Sequence, residues 1–221
     1  MNDTNLAGPD LAGPDLAGPD LAGIVCARIC HDLVSPVGAV VNGADLIREV
    51  GAADAAEEIA MVEQSARRAA ALLKFHRLAF GAAGDRDATL ARGQLRERVE
   101  DVLAGRRVQL GWSAPQGPAI SLPVARLICL MLLAGRAMLG MSGTLRVVLP
   151  AGEALPVAVI AEGAKAGASA DQRRWLAGGP GPAPDSRQVE FALVGPAAAA
   201  AGARIELIEG TGQLALRAAP L

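Results

Sequence analysis

From Leu21 onward the apolar residues recur every three or four positions. Cys26, Cys30, Leu33, Val37, Val40, Ala44 and Ile47 alternate spacings of four and three, which is a heptad seam. Gly51-Ala52-Ala53 then offers a tight reversal, with Asp54 as a helix cap, and a second run follows at the same period: Ile59, Val62, Ala66, Ala69, Leu73, His76 and Phe80. Two such runs joined by a short loop predict an antiparallel helical hairpin over 21–82. A hairpin alone leaves its apolar faces uncovered. The expected solution is a homodimer that closes a four-helix bundle.

Outside the hairpin the pattern changes twice. Residues 6–20 are three copies of Leu-Ala-Gly-Pro-Asp, and Pro and Gly at every fifth position forbid a helix or a paired strand. Residues 1–20 are therefore expected to be a disordered extension, with Asp20 capping the first helix. Gly81-Ala82-Ala83-Gly84-Asp85 marks the boundary to a second domain over 86–221. There helices alternate with strands: a helix near 90–104, a strand Arg107–Ser113 and a long apolar helix from Ser121 to Leu139. Strands Gly143–Leu149 and Leu155–Glu162 follow, then a short helix at 169–177 and a Gly/Pro loop to Ser186. A helical stretch containing Gly195-Pro196 leads to a closing hairpin, Ala203–Ile208 with Gln213–Arg217. The fold class is α+β: a helical hairpin followed by an α/β sandwich of one mixed sheet covered by helices.

Composition narrows this picture. Of 221 residues 52% are hydrophobic but only 2% aromatic, so Ala, Leu, Val and Gly must fill the core. The net charge of −2, with 21 basic residues scattered along the chain, gives no reason to expect nucleic acid or a membrane surface as partner. Arg126 and Arg136 interrupt the most apolar window and leave nine uncharged residues between them, against the ~20 a bilayer span requires. No signal peptide opens the chain, so a cytoplasmic location is expected. Cys26, Cys30 and Cys129 make no disulfide framework and read as small buried hydrophobes; no metal site is expected.

Candidate chemistry concentrates at Arg28-Ile29-Cys30-His31-Asp32-Leu33-Val34-Ser35-Pro36. With Cys30 on the seam, His31 points outward. The stripe running on from it, Ser35, Gly38, Asn42 and Asp45, is small or polar throughout, an approachable surface for another protein's loops. Asp32 can bond one imidazole nitrogen and fix the tautomer, leaving the other free as a nucleophile. Arg28, one turn earlier, is placed to meet phosphate oxygens. Pro36 removes a helix hydrogen bond and should bend the helix. His76, among Leu72, Leu73, Phe75 and Leu78, reads as a packing histidine.

His31-Asp32-Leu33-Val34-Ser35-Pro36 resembles the H-box of sensor histidine kinases. The longer stretch Cys30–Ala39 with Asn42-Gly43, together with Leu73-Lys74-Phe75-His76-Arg77-Leu78-Ala79-Phe80-Gly81, resembles the ChpT family of alphaproteobacterial histidine phosphotransferases. The resemblance implies a homodimeric bundle followed by a domain shaped like a kinase ATP-binding domain that binds no ATP. The positions that would hold magnesium, nucleotide and adenine carry Cys129, Leu133 and Ala161, and Lys165 spoils the glycine spacing that follows. The implied function is an intermediate carrier in a multistep phosphorelay. His31 would accept a phosphoryl group from the receiver of a hybrid histidine kinase (CckA-type) and pass it to response regulators (CtrA-type and CpdR-type). The carrier would have no cofactor of its own, since the receiver supplies Mg2+. Two rivals are an ATP-dependent sensor kinase fragment and a non-catalytic, dimeric receiver-docking scaffold.

Overall fold

The computed structural model describes residues 20–221 apart from 52, 82–87, 105–106, 153–154 and 180. The expectations of disorder in the repeats and of a boundary across 82–85 lie outside the described residues.

The two periodic runs form α1 (Leu21–Val50) and α2 (Ala56–Phe80), packed as a hairpin. Asp20 caps α1, its Oδ1 accepting the Gly23 N–H at 2.9 Å. Asp54 does not cap α2. It lies in the turn, its backbone N–H bonded to the Gly51 carbonyl, and Ala55 takes the cap position without a side-chain bond. The helix runs unbroken through Pro36, which is buried.

In the single chain the fully buried face of α1 lies beside the predicted seam, whose Leu33, Val40, Ala44 and Ile47 are half-buried. Arg28, Pro36 and Gly43 are its buried residues, while Cys26, Cys30 and Val37 are exposed. Gly43 permits the close approach of the helices, since a Cβ there would lie 2.5 Å from Val62 Cγ2. The apolar stripe Val34, Val37 and Val41 is left open on the far side of α1, and Ile59 and Leu73 of α2 are exposed as well. Cys26 and Cys30 are thus not buried hydrophobes in the single chain. A seam of this kind does not reveal which side a lone hairpin covers; here the inward side is held by charges that pair with the second domain.

That domain contains α3 (Arg92–Leu103), α4 (Leu122–Leu139), α5 (Ala170–Leu176) and α6 (Val189–Ala200). Its strands are β1 (Thr89–Leu90), β2 (Val108–Ser113), β3 (Ile120–Ser121), β4 (Gly143–Val148), β5 (Val157–Glu162), β6 (Ala203–Gly210) and β7 (Gln213–Pro220). Five of them form one sheet in the order β2-β4-β5-β7-β6, with β2 parallel to β4 and the other pairs antiparallel. Along β5, Val157, Val159 and Ala161 are buried and the residues between them half-exposed, the period-2 signature of a sheet covered on one face. β1 and β3 pair over two residues each, too short to leave a pattern in the sequence.

Helix α4 is the centre of the core: Leu127 to Leu133 are all buried, and α6 packs beside it. The base of the hairpin joins the same core through Phe75 and Ala79. Two polar ties reinforce that junction. Arg68 donates to the Ala104 carbonyl at 3.1 Å, and Arg126 to the Ala79 carbonyl at 3.1 Å. The hairpin partner of the helix that carries His31 is thus tied to the second domain.

Candidate functional site

Helical geometry splits the pair His31-Asp32 between two faces. Successive residues lie about 100° apart, so one can face solvent while the next turns inward. The His31 side chain is 55% exposed and that of Asp32 only 12%. Nδ1 of His31 lies 3.3 Å from Asp32 Oδ1, which leaves Nε2 on the outward side of the ring. The arrangement suits a ring that keeps its proton on Nδ1, facing the carboxylate, and presents a lone pair at Nε2.

The other oxygen of Asp32 is anchored from two directions. Arg28 donates from Nε to Oδ2 at 3.1 Å, and His76 Nε2 from α2 lies 3.2 Å from the same oxygen. The His76 ring is not squarely aimed at it, so this contact is a close polar approach rather than an aligned hydrogen bond, and neither buried ring nitrogen of His76 has an aligned hydrogen-bond partner. Burial alone would push the Asp32 carboxyl up. His76, Arg28 and His31 outweigh it and hold the group well below the usual carboxylate range. Asp32 is thus a carboxylate at any ordinary pH.

Arg28 is itself pinned. Its Nη1 lies 3.1 Å from Glu190 Oε2 on α6 and donates to the Ser186 carbonyl at 3.4 Å. Burial raises the Glu190 carboxyl, and the Arg28 charge pulls it only partly back. The half-buried Arg136 of α4 borders the same cluster. Burial lowers its basicity and the nearby Arg28 lowers it further, against Asp32 and Glu190. Arg28 and Asp32 of α1, His76 of α2 and Arg136 of α4 line one cavity between the hairpin and the second domain, closed by apolar side chains such as Leu72 and Leu133.

The other predicted residues can now be placed. Ser35, Asn42 and Asp45 are exposed on the His31 side of α1, with Asp45 paired to Arg48 at 2.9 Å. A Cβ built on Gly38 would meet nothing within 4 Å, so the stripe is open as well as small. Arg28 departs from expectation: its guanidinium is 6% exposed and turned inward onto two carboxylates, away from where a phosphoryl group would approach His31. His76 packs as anticipated, stacked on Phe80 at 5.4 Å and edge-on to Phe75, but its contact with Asp32 was not foreseen. Glu190 gave no sequence signal, because it lies 162 positions from its partner. His76 had one: it falls on the α2 face turned toward the H-box helix.

Cys129, Leu133 and Ala161 are all buried in the core, and burial pushes the Cys129 thiol up to about 12. Among the described residues no group of three or more His, Cys, Asp or Glu side chains could hold a metal ion. Two helices, Leu21–Val50 and Leu122–Leu139, reach the length and mean hydropathy of a membrane span; the second is the core helix, 72% buried. The first carries Arg28 and Asp32 of the buried cluster.

Comparison with known proteins bears on the family and the fold. Residues 92–211, more than half of the chain, match the family model described as the histidine phosphotransferase C-terminal domain. The protein phosphotransferase ChpT of Brucella abortus is 36% identical over 139 residues, 62% of this chain and 64% of its own length. The match therefore spans less than two thirds of that relative. A solved structure described as a bacterial phosphotransferase superposes with a TM-score of 0.74 and 27% identity, over 90% of this chain and 95% of its own. A histidine kinase domain from Erythrobacter litoralis covers 91% of this chain and 94% of its own at 16% identity, with a TM-score of 0.43.

Proposed function

The chain belongs to the histidine phosphotransferase family, and from that premise we propose that it is a phosphorelay carrier whose phosphoryl-accepting atom is Nε2 of His31. The observation that carries the reading is the His31 Nδ1 to Asp32 Oδ1 distance of 3.3 Å on a half-exposed ring. Nε2 attacks the phosphorus of a receiver's aspartyl phosphate. The N–P bond forms as the P–O bond to the receiver breaks, and that electron pair stays on the receiver's carboxylate. Positive charge grows on the imidazole during attack, and Asp32 stabilises it from a fixed position. Positioning and charge stabilisation dominate, because the phosphoryl transition state is loose. The reverse step delivers the group to a second receiver.

Receivers approach along Ser35, Gly38, Asn42 and Asp45, and their own acidic pocket supplies Mg2+. The donor is the receiver of a hybrid kinase (CckA-type); the acceptors are response regulators (CtrA-type and CpdR-type). The chain works without ATP, a reading supported by the apolar, buried Cys129, Leu133 and Ala161 at the nucleotide-reading positions. It works as a homodimer in the cytoplasm, its exposed stripe of Val34, Val37, Val41, Ile59 and Leu73 covered by a second copy.

The test is transfer of radiolabelled phosphate from a phosphorylated receiver to the wild type and to His31→Ala, beside a parallel arm with Mg-ATP alone. Label is expected only on the wild type and only from the receiver. Label on His31→Ala would refute the acceptor, and labelling of the wild type by ATP would restore the sensor-kinase reading.

A further inference from the structure

The phosphotransfer reading assigns work to His31 and Asp32 and none to the second histidine of the chain. His76 is nevertheless 2% exposed, and its Nε2 lies 3.2 Å from the oxygen of Asp32 that His31 does not use. A polar ring in so apolar a setting is costly unless something there requires it.

We propose that His76 is a positioning residue for phosphotransfer: it holds Oδ2 of Asp32, so that Oδ1 stays directed at Nδ1 of His31. The inference rests on the carrier reading given above.

The geometry makes the division of labour specific. A carboxylate can rotate about its last torsion and exchange its two oxygens. Arg28 restrains that rotation from one side, along α1, with Nε at 3.1 Å from Oδ2. Arg28 is shared with Glu190, however, so its grip on Asp32 is divided. His76 reaches the same oxygen from α2, across the hairpin, and its ring cannot swing away because Phe80 stacks on its face with the planes only 19° apart. Two anchors from two helices on Oδ2 leave a single orientation for Oδ1. That orientation fixes which nitrogen of His31 keeps the proton, and hence which one attacks. During transfer the Nδ1 proton stays on the ring, while the Nε2 lone pair forms the bond to phosphorus. His76 touches neither the phosphoryl group nor His31.

Two variants separate this role from packing. His76→Leu fills the space and removes the contact; His76→Gln keeps an N–H able to reach Oδ2. Labelling rates are measured against receiver concentration for the wild type and both variants, with the 15N spectrum of His31 recorded on the unphosphorylated proteins. The saturating rate of His76→Leu is expected to fall about tenfold, the loss of one close polar contact to a charged group. The receiver concentration at half-maximal rate should not change. His76→Gln should recover most of the rate. The His31 spectrum should change from one Nδ1–H tautomer to a mixture in His76→Leu alone.

Wild-type rate and tautomer in His76→Leu would overturn the proposal. So would equal loss in both variants with an unchanged His31 spectrum, which marks a packing role. An unlabelled wild type refutes the carrier reading instead, and the tautomer measurement still decides the role of His76.

Discussion

The buried contact between Arg28 and Glu190 makes a demanding prediction. The two residues are 5% and 0% exposed, at 3.1 Å, and they join the His31 helix to the second domain. Arg28→Met removes the cation and strands two carboxylates, one of them fully buried. Breaking a buried pair from one side typically costs about 3–5 kcal/mol. For a chain of this size each kcal/mol moves the melting temperature by roughly 2–4 °C, so a fall of about 6–20 °C is expected. Glu190→Leu costs less, because Arg28 retains Asp32. The double variant Arg28→Met/Glu190→Leu should be more stable than Arg28→Met alone, since leucine fills the space without a charge to bury. pH supplies an internal check. Burial already raises the Glu190 carboxyl, and without Arg28 it rises further. The folded Arg28→Met variant then binds a proton more tightly than the unfolded chain, and its stability falls as pH rises. Its deficit relative to wild type should therefore shrink on mild acidification. Urea unfolding of the four proteins at two pH values measures all of this. A double variant whose loss equals the sum of the single losses, or an Arg28→Met loss under about 1 kcal/mol, would show that the pair is not coupled.

Three further outcomes are expected. Gly38→Arg should stay folded, because a side chain there meets nothing within 4 Å, yet transfer with donor and acceptor receivers should fall at least about tenfold by bulk along the approach; rates near wild type would place docking elsewhere. The carboxyl of Asp32 is depressed in the fold, so its stabilisation is present above the ordinary aspartate value of about 3.8 and is lost as pH falls from there. Acid unfolding followed by circular dichroism should accordingly be shallower below pH 4 in Asp32→Asn, and an unchanged acid limb would contradict the assigned contacts. Val37→Asp puts a charge on the open apolar stripe, where burial against a second copy would cost several kcal/mol, ~2–7 on the usual scale for an unpaired polar group and more for a charge. Light scattering should show a dimer for the wild type and a monomer for Val37→Asp, and a wild-type monomer at micromolar concentration would refute the bundle.

The elements were legible in the sequence because each was long and periodic. α1, α2 and α4, the five strands of the main sheet and even the small α5 stand where the pattern put them. The face of α1 that docks on the second domain was not. The heptad reading did not show that Arg28 and Asp32 face inward, where each meets a partner on another element, Glu190 of α6 and His76 of α2. A charge reads as surface until its counter-charge is located, and Glu190 is 162 positions away. The same limit divides the site. His31 and Asp32 are neighbours in sequence, so their interaction follows from helix geometry alone. The anchoring of Asp32 by His76 depends on how α2 docks, and the burial of Arg28 on where α6 comes to rest. Arg28, expected as a phosphate contact, is instead buried and paired with Asp32 and Glu190.

Two glycines on one helix answer to different selectors. At position 38 a side chain would point into open space and leave the backbone undisturbed. At position 43 a single added methyl would collide with Val62 and push α2 away from α1, shifting His76 relative to Asp32. If receivers dock along this stripe as proposed, drift at 38 would be read by other proteins, as a change in who can dock, and it could be offset by a matching change in a partner. Drift at 43 would be read within the chain, and only a smaller residue at 62 could answer it. One glycine leaves room for a conversation between molecules, and the other fixes the distance at which this molecule addresses itself.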